Sequence, residues 1–216
     1  MKYGLIGASG RLGKEVMDVF TEQNHKCVFT FDINGESFNE KPEIIIDCSL
    51  PEVFEKSVGY VTKFKVPLII ATTGLTDDNI KSLKVLAKKI PVVQSYNYSL
   101  GIQILLRLTK EANEKLKDWD VEITETHHRF KKDKPSGTAK MLENIFGDRK
   151  VNTSSLRLGN VPGDHSVSFA SLGEVLSIEH RALSRRTFAE GILKSAEFAL
   201  IKDNGFYSFT DVVFGN

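Results

Sequence analysis

The segment from Glu125 to Thr138 concentrates side chains that can bind an anion and transfer a proton. It contains the pair His127 and His128, the cation Lys131, and the triplet Ser136-Gly137-Thr138 at the start of a helix-like stretch. A helix N-terminus offers free backbone N–H groups, so a small dicarboxylate would fit with one carboxylate at this triplet and others against His128 and Lys131. A histidine whose pKa lies near neutrality can donate a proton when a hydride reaches an adjacent carbon.

Three simpler interpretations compete for this segment. Lys132 and Lys134 are expected to belong to a solvated loop. The two histidines could bind a metal ion, but no cysteine or carboxylate nearby has the spacing of metal ligands. Contact with nucleic-acid phosphates is typical of a basic protein with aromatic residues between the cations, whereas the net charge here is only +1. We therefore expect neither a metal nor a nucleic-acid partner.

A glycine-rich turn, G-x-x-G-x-x-G, joins the first strand-like run to the first helix-like run at Gly7, Gly10 and Gly13. Glycine lets the backbone turn tightly and approach a pyrophosphate, and the helix N-terminus adds N–H donors. Asp32 follows about 20 residues later, where an acid accepts hydrogen bonds from ribose hydroxyls. These features predict a nucleotide site, and a ligand-free turn is the simpler alternative. Asp32 would repel a 2′-phosphate and favour NADH, whereas Arg11 could accommodate NADPH, so both cofactors stay open.

The first hundred residues alternate strand-like and helix-like segments. Helices are expected over residues 12–23, from Pro51 to about residue 63 and, capped by Asp77, to about residue 89. Strands are expected at Tyr3–Ile6, Cys27–Phe31, Ile44–Cys48, Leu68–Ala71 and Pro91–Gln94. The alternation and the continuous apolar runs predict a parallel sheet that is built from βαβ units and buried on both faces.

The pattern changes after about residue 99, where we place a domain boundary. A helix from Leu100 to about Lys115 precedes the alternating strand VEITETHHRF, and another helix is expected from Thr138 to about Phe146. The stretches SLRLGN, HSVSFAS and EVLSIEHRAL have no helices between them, which predicts an antiparallel or mixed sheet. A final helix is expected from about Thr187 to Ile201, and the tail YSFTDVVF follows it.

The composition is ordinary for a soluble globular protein, with 41% apolar and 26% charged residues among 216. A chain of this length can bury enough core to fold without disulfides or a metal. Cys27 and Cys48 lie in apolar strand-like runs and lack a CxxC partner, so we expect buried thiols in a reducing compartment. The N-terminus has no signal-peptide pattern, and no apolar run approaches the ~18 residues of a membrane span, so a cytoplasmic location is expected.

The segment ETHHRFKKDKPSGTA, from Glu125 to Ala139, resembles the signature of dihydrodipicolinate reductases. The resemblance extends along the chain. GASGRLG is similar to the N-terminal turn of the family, and RLGNVPGDHSVSF and LSRRTFAEGIL are similar to its C-terminal sequences. ATTGL resembles its G-T-T-G segment with Ala71 in place of the first glycine, and SYNYSLG resembles A-P-N-F-S-x-G with Ser95 and Tyr96 departing. The segment of residues 33–41 is shorter than the corresponding segment in many members, so the chain resembles a compact form of the family.

The resemblance implies an α/β fold with two domains. Residues 1–98 with 187–216 would form a Rossmann-type parallel-sheet domain that binds the dinucleotide. Residues 99–186 would form a smaller α+β domain with a mixed sheet that binds substrate and joins the subunits of a homotetramer. The implied reaction is the reduction of dihydrodipicolinate, formed from 4-hydroxy-tetrahydrodipicolinate, to tetrahydrodipicolinate by NADH or NADPH, in lysine and diaminopimelate biosynthesis.

The resemblance also implies roles for individual residues. His127 matches the proton donor of the family and Lys131 its second catalytic residue. The substrate contacts would be His128, Gly137 and Thr138, to which we add Ser136. The cofactor contacts would be Gly7, Ala8, Ser9, Gly10, Arg11, Leu12, Asp32, Ala71, Thr72, Thr73, Ser95, Tyr96, Asn97 and Tyr98. Ile33 stands where some members carry an arginine, which leaves the preference between NADH and NADPH open.

Two other functions fit parts of the pattern. Another NAD(P)-dependent dehydrogenase of aspartate-family metabolism, such as a homoserine dehydrogenase, would have two domains but no need for the His127–Thr138 segment. A non-enzymatic nucleotide sensor would keep the glycine turn and Asp32 and would have no use for a dicarboxylate pocket.

Overall fold

The computed structural model describes residues 1–215. In chain order the strands are β1 (Lys2–Ile6), β2 (Lys26–Asp32), β3 (Gly35–Phe38), β4 (Ile44–Asp47), β5 (Leu68–Ile70), β6 (Pro91–Gln94), β7 (Asp120–His127), β8 (Asn152–Arg157), β9 (Asp164–Ala170), β10 (Val175–Arg181) and β11 (Gly205–Tyr207). The helices are α1 (Arg11–Glu22), α2 (Phe54–Phe64), α3 (Asp77–Leu86), α4 (Leu100–Lys115), α5 (Gly137–Glu143), α6 (Arg186–Ile201) and α7 (Phe209–Phe214). Short 3₁₀ turns at Pro51–Val53 and Asn144–Phe146 adjoin α2 and α5.

The chain divides into two compact units. One unit contains Met1–Tyr98 and the chain from Arg185 onward, and the other contains Ser99–Ser184. The junctions therefore lie after Tyr98 and Ser184, and the sequence placed them after residues 98 and 186. Within residues 1–215, no helix combines the length and apolarity needed to cross a bilayer.

The sheet of the first unit has the strand order β11-β6-β5-β4-β1-β2-β3. Neighbouring strands are parallel except β2 and β3, which are antiparallel. Every residue of β4, β5 and β6 is buried, which confirms that the continuous apolar runs are strands covered on both faces. Apolar residues of α1, α6 and α7 pack in one core, and those of α2 and α3 pack in a second core.

Three features of the first unit differ from the sequence-based prediction. The hairpin strand β3 is exposed along its length, so it lacks the apolar run that identified the other strands. The three-residue strand β11 was not predicted, because its length gives no periodicity, and only its last residue, Tyr207, falls in the tail YSFTDVVF. Helix α3 is capped by Thr76 rather than Asp77: Oγ1 of Thr76 accepts the backbone N–H of Asn79 at 3.2 Å, and the Asn79 side chain accepts the N–H of Thr76 in return.

The sheet of the second unit has the order β10-β9-β7-β8. Strand β7 is parallel to β8 and antiparallel to β9, and β9 is antiparallel to β10, so this is the mixed sheet that the sequence predicted. One face carries the core, where Ile123, Val167 and Phe169 pack with residues of α4 and α5. The opposite face carries mostly polar and charged side chains, and the hydroxyls of Ser168 and Ser177 lie 2.9 Å apart there.

Helix α6 can approach the end of β6 closely only because residue 191 is glycine. A Cβ atom at Gly191 would lie 1.7 Å from the carbonyl oxygen of Tyr98. We expect Gly191→Ala to lower the free energy of unfolding by about 1–3 kcal/mol or more, since the backbone must shift. Exposed Gly59 in α2 is the control, because a methyl there meets nothing and Gly59→Ala should stabilise by about 0.5–1 kcal/mol. Urea denaturation of both variants measures this, and equal midpoints would contradict the packing argument.

Candidate active site

Five parallel strands of the first unit bring the predicted cofactor residues to one edge of the sheet. The turn Gly7–Leu12 follows β1, Asp32 ends β2, Ala71–Thr73 follow β5, and Ser95–Tyr98 follow β6. These strands are neighbours in the order β6-β5-β4-β1-β2 and run in the same direction. Their carboxyl ends therefore lie together, which is where ligands bind in open α/β sheets.

The glycine turn folds back on itself before α1 begins. The backbone N–H of Gly7 donates to the carbonyl of Phe31 at 2.8 Å, and the N–H of Gly10 donates to the carbonyl of Gly7 at 3.0 Å. Gly7 has a φ of 84°, and a Cβ atom at Gly13 would lie 2.2 Å from the Gly7 oxygen. A Cβ atom at Gly13 would fill the concave turn, and one at Gly7 would meet the backbone of Cys48 and Ser49, so both positions favour glycine. The N-cap residue of α1 is Gly10, which has no side chain to cover the first N–H groups of the helix, so an anion can approach them.

Asp32 is tied to the glycine turn through its carboxylate. Its Oδ2 accepts the backbone N–H of Ser9 at 3.0 Å, and its Oδ1 accepts that of Asn34 at 2.8 Å. These hydrogen bonds, first that of Asn34 and then those of Ser9, lower the pKa of Asp32. The side chain is ionised at neutral pH and lies beside the turn. Both properties are required of a carboxylate that accepts hydrogen bonds from ribose hydroxyls. Ile33, next in the chain, is 95% exposed.

Asp47, at the end of β4, supports the same edge; the sequence left open whether this residue orders neighbouring loops. Its carboxylate is fully buried and accepts hydrogen bonds from the N–H and hydroxyl of Ser49, from Oγ of Ser57 at 2.7 Å and from Oγ1 of Thr72 at 2.9 Å. The side chain of Thr72 is thereby turned inward to hold neighbouring turns together. Only the backbone of Thr72 is then left for a ligand.

The segment after β6 divides between surface and core. Tyr96 is 44% exposed, whereas Ser95 is buried and its hydroxyl donates to the carbonyl of Asn97 at 2.9 Å. The Tyr98 side chain lies in the core, with its hydroxyl 3.0 Å from the carbonyl oxygen of Ile70 and 3.1 Å from that of Val93. Tyr98 can therefore offer a cofactor only its backbone.

Arg11 has a second arginine beside it that was not assigned to the site. Arg185 is half-buried, and burial together with the nearby charge of Arg11 lowers its pKa. Two cations thus stand near the start of α1, where the glycine turn already favours an anion.

In the second unit, His127 ends β7 and is 8% exposed. Its Nδ1 atom makes a very short contact with Oε2 of Glu125. Burial lowers the pKa of His127, and Lys131 and Arg157 act in the same direction. Glu125 opposes them, but the pKa stays below its ordinary value. The unliganded ring is therefore mostly neutral at pH 7.

Lys131 lies on the loop that follows β7. Its Nζ atom is 2.8 Å from Oδ1 of Asp133, and its side chain is 19% exposed. His128 is half-buried, with its ring 6.4 Å from that of Phe130. Lys132 and Lys134 are exposed, as a solvated loop requires. Within residues 1–215, no group of three or more His, Cys, Asp or Glu side chains is placed to hold a metal ion.

The Ser136-Gly137-Thr138 triplet starts α5, and Ser136 is its N-cap. Oγ of Ser136 accepts the backbone N–H of Ala139 at 3.2 Å and lies 3.3 Å from Nε2 of His165. Ser136 and Thr138 are both buried. The Ser136 hydroxyl is thus engaged within the protein, and the triplet faces a ligand mainly through its backbone.

Sequence reasoning missed three residues that surround His127, namely Glu125, Arg157 and His165. For Arg157 the sequence left open an anionic site, an oligomer interface or plain surface charge, and for His165 it favoured a structural role. The alternation of β7 held a usable signal, because Glu125 falls on the same face as Val121, Ile123 and His127. A carboxylate at an inward position of a strand predicts a buried charged partner.

Comparison with known proteins decides the family. The family model described as "Dihydrodipicolinate reductase, N-terminus" matches residues 1–98, and "Dihydrodipicolinate reductase, C-terminus" matches residues 101–213. The chain belongs to the dihydrodipicolinate reductase family. It is therefore an NAD(P)H-dependent oxidoreductase of lysine and diaminopimelate biosynthesis rather than a homoserine dehydrogenase or a nucleotide sensor.

Individual relatives agree with this family. The 4-hydroxy-tetrahydrodipicolinate reductase of Thermosipho africanus (strain TCF52B) is 48% identical over 213 residues, which cover 99% of this chain and 98% of that protein. The enzyme of the same name from Rickettsia rickettsii (strain Sheila Smith) is 35% identical over 236 residues, covering 98% of each. The dipicolinate-bound dihydrodipicolinate reductase of Paenisporosarcina sp. TG-14 has the same fold, with a TM-score of 0.77 at 20% identity over 96% of this chain and 97% of that one.

His165 makes stability depend on pH. Burial, and then the neighbouring His127, lower the pKa of His165 to about 3, whereas an unfolded histidine titrates near 6.5. Between these values the unfolded chain binds more protons, so the free energy of unfolding falls as the pH falls from about 6.5 toward 3. We expect His165→Gln to remove up to about 1 kcal/mol of this loss per pH unit. Urea denaturation at pH 7, 5.5 and 4 measures it, and parallel curves for the two proteins would disprove this account.

Proposed function

We propose that this chain reduces dihydrodipicolinate, formed from 4-hydroxy-tetrahydrodipicolinate, to tetrahydrodipicolinate, with NADH or NADPH as the reductant. The observation that carries the proposal is the 48% identity to the Thermosipho reductase across nearly the whole of both chains. A hydride and a proton together add across one double bond of the substrate, so the atoms and charges balance. The chain must then bind the reductant, bind a dicarboxylate and supply one proton.

The first unit fits the dinucleotide. The concave glycine turn that a Cβ atom would fill, the open N–H groups of α1 and the Asp32 carboxylate beside Ser9 provide places for a pyrophosphate and a ribose. When bound, the nicotinamide supplies the hydride chemistry. The backbones of Ala71–Thr73 and Ser95–Tyr98 would hold the remainder of the cofactor at the same sheet edge.

The second unit supplies the proton and the cations. His127 would donate a proton from Nε2 to the substrate carbon, while the electron pair of that N–H bond stays on nitrogen. Lys131 and His128 would bind the substrate carboxylates together with the backbone of Ser136-Gly137-Thr138. A dianion beside His127 raises its pKa, so substrate binding favours the protonated ring that the reaction needs.

We further propose a cytoplasmic homotetramer. The family resemblance points to this assembly, in which the second unit would join the copies. Light scattering of the purified protein measures the assembly directly.

Asp32 should set the preference between the two reductants. Its charge accepts ribose hydroxyls and repels a 2′-phosphate, so Asp32→Asn should lower the NADH-to-NADPH ratio of kcat/KM by about tenfold or more. Initial rates with each reductant give the ratio. Asp203→Asn makes the same change at an exposed site and should leave the ratio unaltered. An unchanged ratio in Asp32→Asn would remove this residue from the cofactor site.

Replacement of His127 or Lys131 tests the reaction itself. We expect His127→Gln and Lys131→Ala to lower kcat by about 10²- to 10⁴-fold, because each removes a group from the proton-transfer site. NADH binding, followed by fluorescence titration, should stay intact. The matched control Lys132→Ala removes an exposed neighbouring cation and should leave kcat within about twofold. The loss of NADH absorbance gives the rates, with the substrate generated enzymatically in the cuvette. Wild-type protein that binds NADH but shows no turnover would refute the proposed function.

A further inference from the structure

Glu125 places a carboxylate on the buried face of β7. The buried face of β7 carries Val121, Ile123, Glu125 and His127, and Glu125 has no exposed surface. An isolated buried carboxylate is strongly unfavourable. Its partners therefore determine whether it can remain charged.

Arg157, at the end of β8, is the main partner of Glu125. Nη1 of Arg157 donates to Oε2 of Glu125 at 3.0 Å, and Nη2 donates to Oε1 at 2.9 Å. The other N–H groups donate to the carbonyl oxygens of Lys131 at 3.2 Å, Asp133 at 2.5 Å and Leu156 at 2.6 Å. A guanidinium has five N–H donors, so all of them have an acceptor here.

The same contacts fix the protonation of Glu125. Burial would raise the pKa of Glu125, but hydrogen bonds from Arg157, Ser155 and His127 outweigh burial and lower the pKa to about 2. The carboxylate is therefore ionised near neutral pH and can only accept hydrogen bonds. Its contact with Nδ1 of His127 requires Nδ1 to carry a hydrogen, which leaves Nε2 as the nitrogen that gains and loses the second proton.

The surroundings of Nε2 agree with this assignment. A Cβ atom at Gly163 would lie only 3.0 Å from Nε2, so the glycine leaves room beside that nitrogen. The charged and titratable groups that act on the ring are Glu125 on the same strand, Lys131 and Asp133 on the following loop, Arg157 on β8 and His165 on β9. Of the two anions, Glu125 is the one in contact with Nδ1, whereas Asp133 is paired with Lys131, so the hydrogen on Nδ1 depends on Glu125.

We propose that Glu125 and Arg157 are positioning residues that direct proton transfer by His127 through Nε2. Glu125 holds the hydrogen on Nδ1, and Arg157 keeps Glu125 ionised while it holds the backbone of the Lys131 loop near the ring. This inference rests on the proposed function, because it takes His127 as the proton donor. The N–H groups of Arg157 and both oxygens of Glu125 are engaged within the protein, so we assign neither residue a contact with the substrate.

The first test compares two Glu→Gln substitutions on one strand. Glu125→Gln removes the charge beside His127, whereas Glu122→Gln removes a charge on the open face, where Glu122 accepts from Ser154. We expect Glu125→Gln to lower kcat by about 10²- to 10⁴-fold with little change in NADH binding. The pH at which kcat/KM falls should move down by about one unit, because the anion that favours protonated His127 is gone. Glu122→Gln should match the wild type in both properties.

The second test separates positioning from folding. Loss of Glu125 alone leaves Arg157 buried without its counterion, which itself destabilises the protein. The double variant Glu125→Gln with Arg157→Met removes both charges, so its Tm should exceed that of Glu125→Gln. We nevertheless expect its kcat to stay low. A double variant that regained both Tm and kcat would reduce the pair to a structural role and overturn the proposal.

Nitrogen-15 NMR of histidine-labelled protein reports the tautomer independently of turnover. In the wild type above the pKa, the spectrum should show His127 with hydrogen on Nδ1 and a bare Nε2, and Glu125→Gln should give a mixture of tautomers. Wild-type turnover with an unchanged tautomer, kcat and pH profile in Glu125→Gln would refute the positioning pair and leave the proposed function intact. If the wild type and His127→Gln turned over equally, His127 would not be the donor, and the inference would fail with the function.

Discussion

A buried negative charge on β7 organises the second unit. A buried carboxylate is unfavourable without cationic or N–H partners. Arg157 on β8 and His127 on β7 supply these partners to Glu125 through hydrogen bonds. Because Arg157 also bonds the backbone carbonyls of Lys131 and Asp133, satisfying the charge gives the loop after β7 its shape. The Arg157 hydrogen bonds that stabilise the buried Glu125 charge therefore also position the loop that carries the candidate catalytic residue Lys131.

The first unit is governed by strand direction rather than by a buried ion pair. Parallel neighbours bring the ends of β1, β2, β4, β5 and β6 to one edge, so residues far apart in sequence come together in one candidate site. Asp47 takes the supporting role, because hydrogen bonds from Ser49, Ser57 and Thr72 link the turns behind that edge. In both units a buried carboxylate therefore stabilises loops that carry candidate site residues.

Much of the fold was predictable because it depends on local patterns. The buried strands β4, β5 and β6 have continuous apolar runs, and α4 and β7 have clean periodicities, so their types and approximate limits followed from the sequence. Strands β3 and β11 were missed for the opposite reason, since an exposed hairpin strand and a three-residue strand are stabilised by neighbours distant in sequence. The site divides in the same way. Contiguous segments such as Gly7–Leu12 and His127–Thr138 carry a motif, whereas Arg157 and His165 reach His127 only through strand pairing across the sheet.

Each of the five N–H groups of Arg157 has its own acceptor oxygen, and this full pairing limits which residues can replace the arginine during evolution. A lysine offers three N–H donors from a single nitrogen, so it cannot satisfy a carboxylate and three separate carbonyls together. Replacement of Arg157 by lysine, which is a conservative substitution at many surface positions, is therefore expected to destabilise the protein. Positions 125 and 157 are coupled in stability, because loss of either charge leaves the other buried without its counterion. We therefore expect related sequences to change positions 125 and 157 together or to retain both residues.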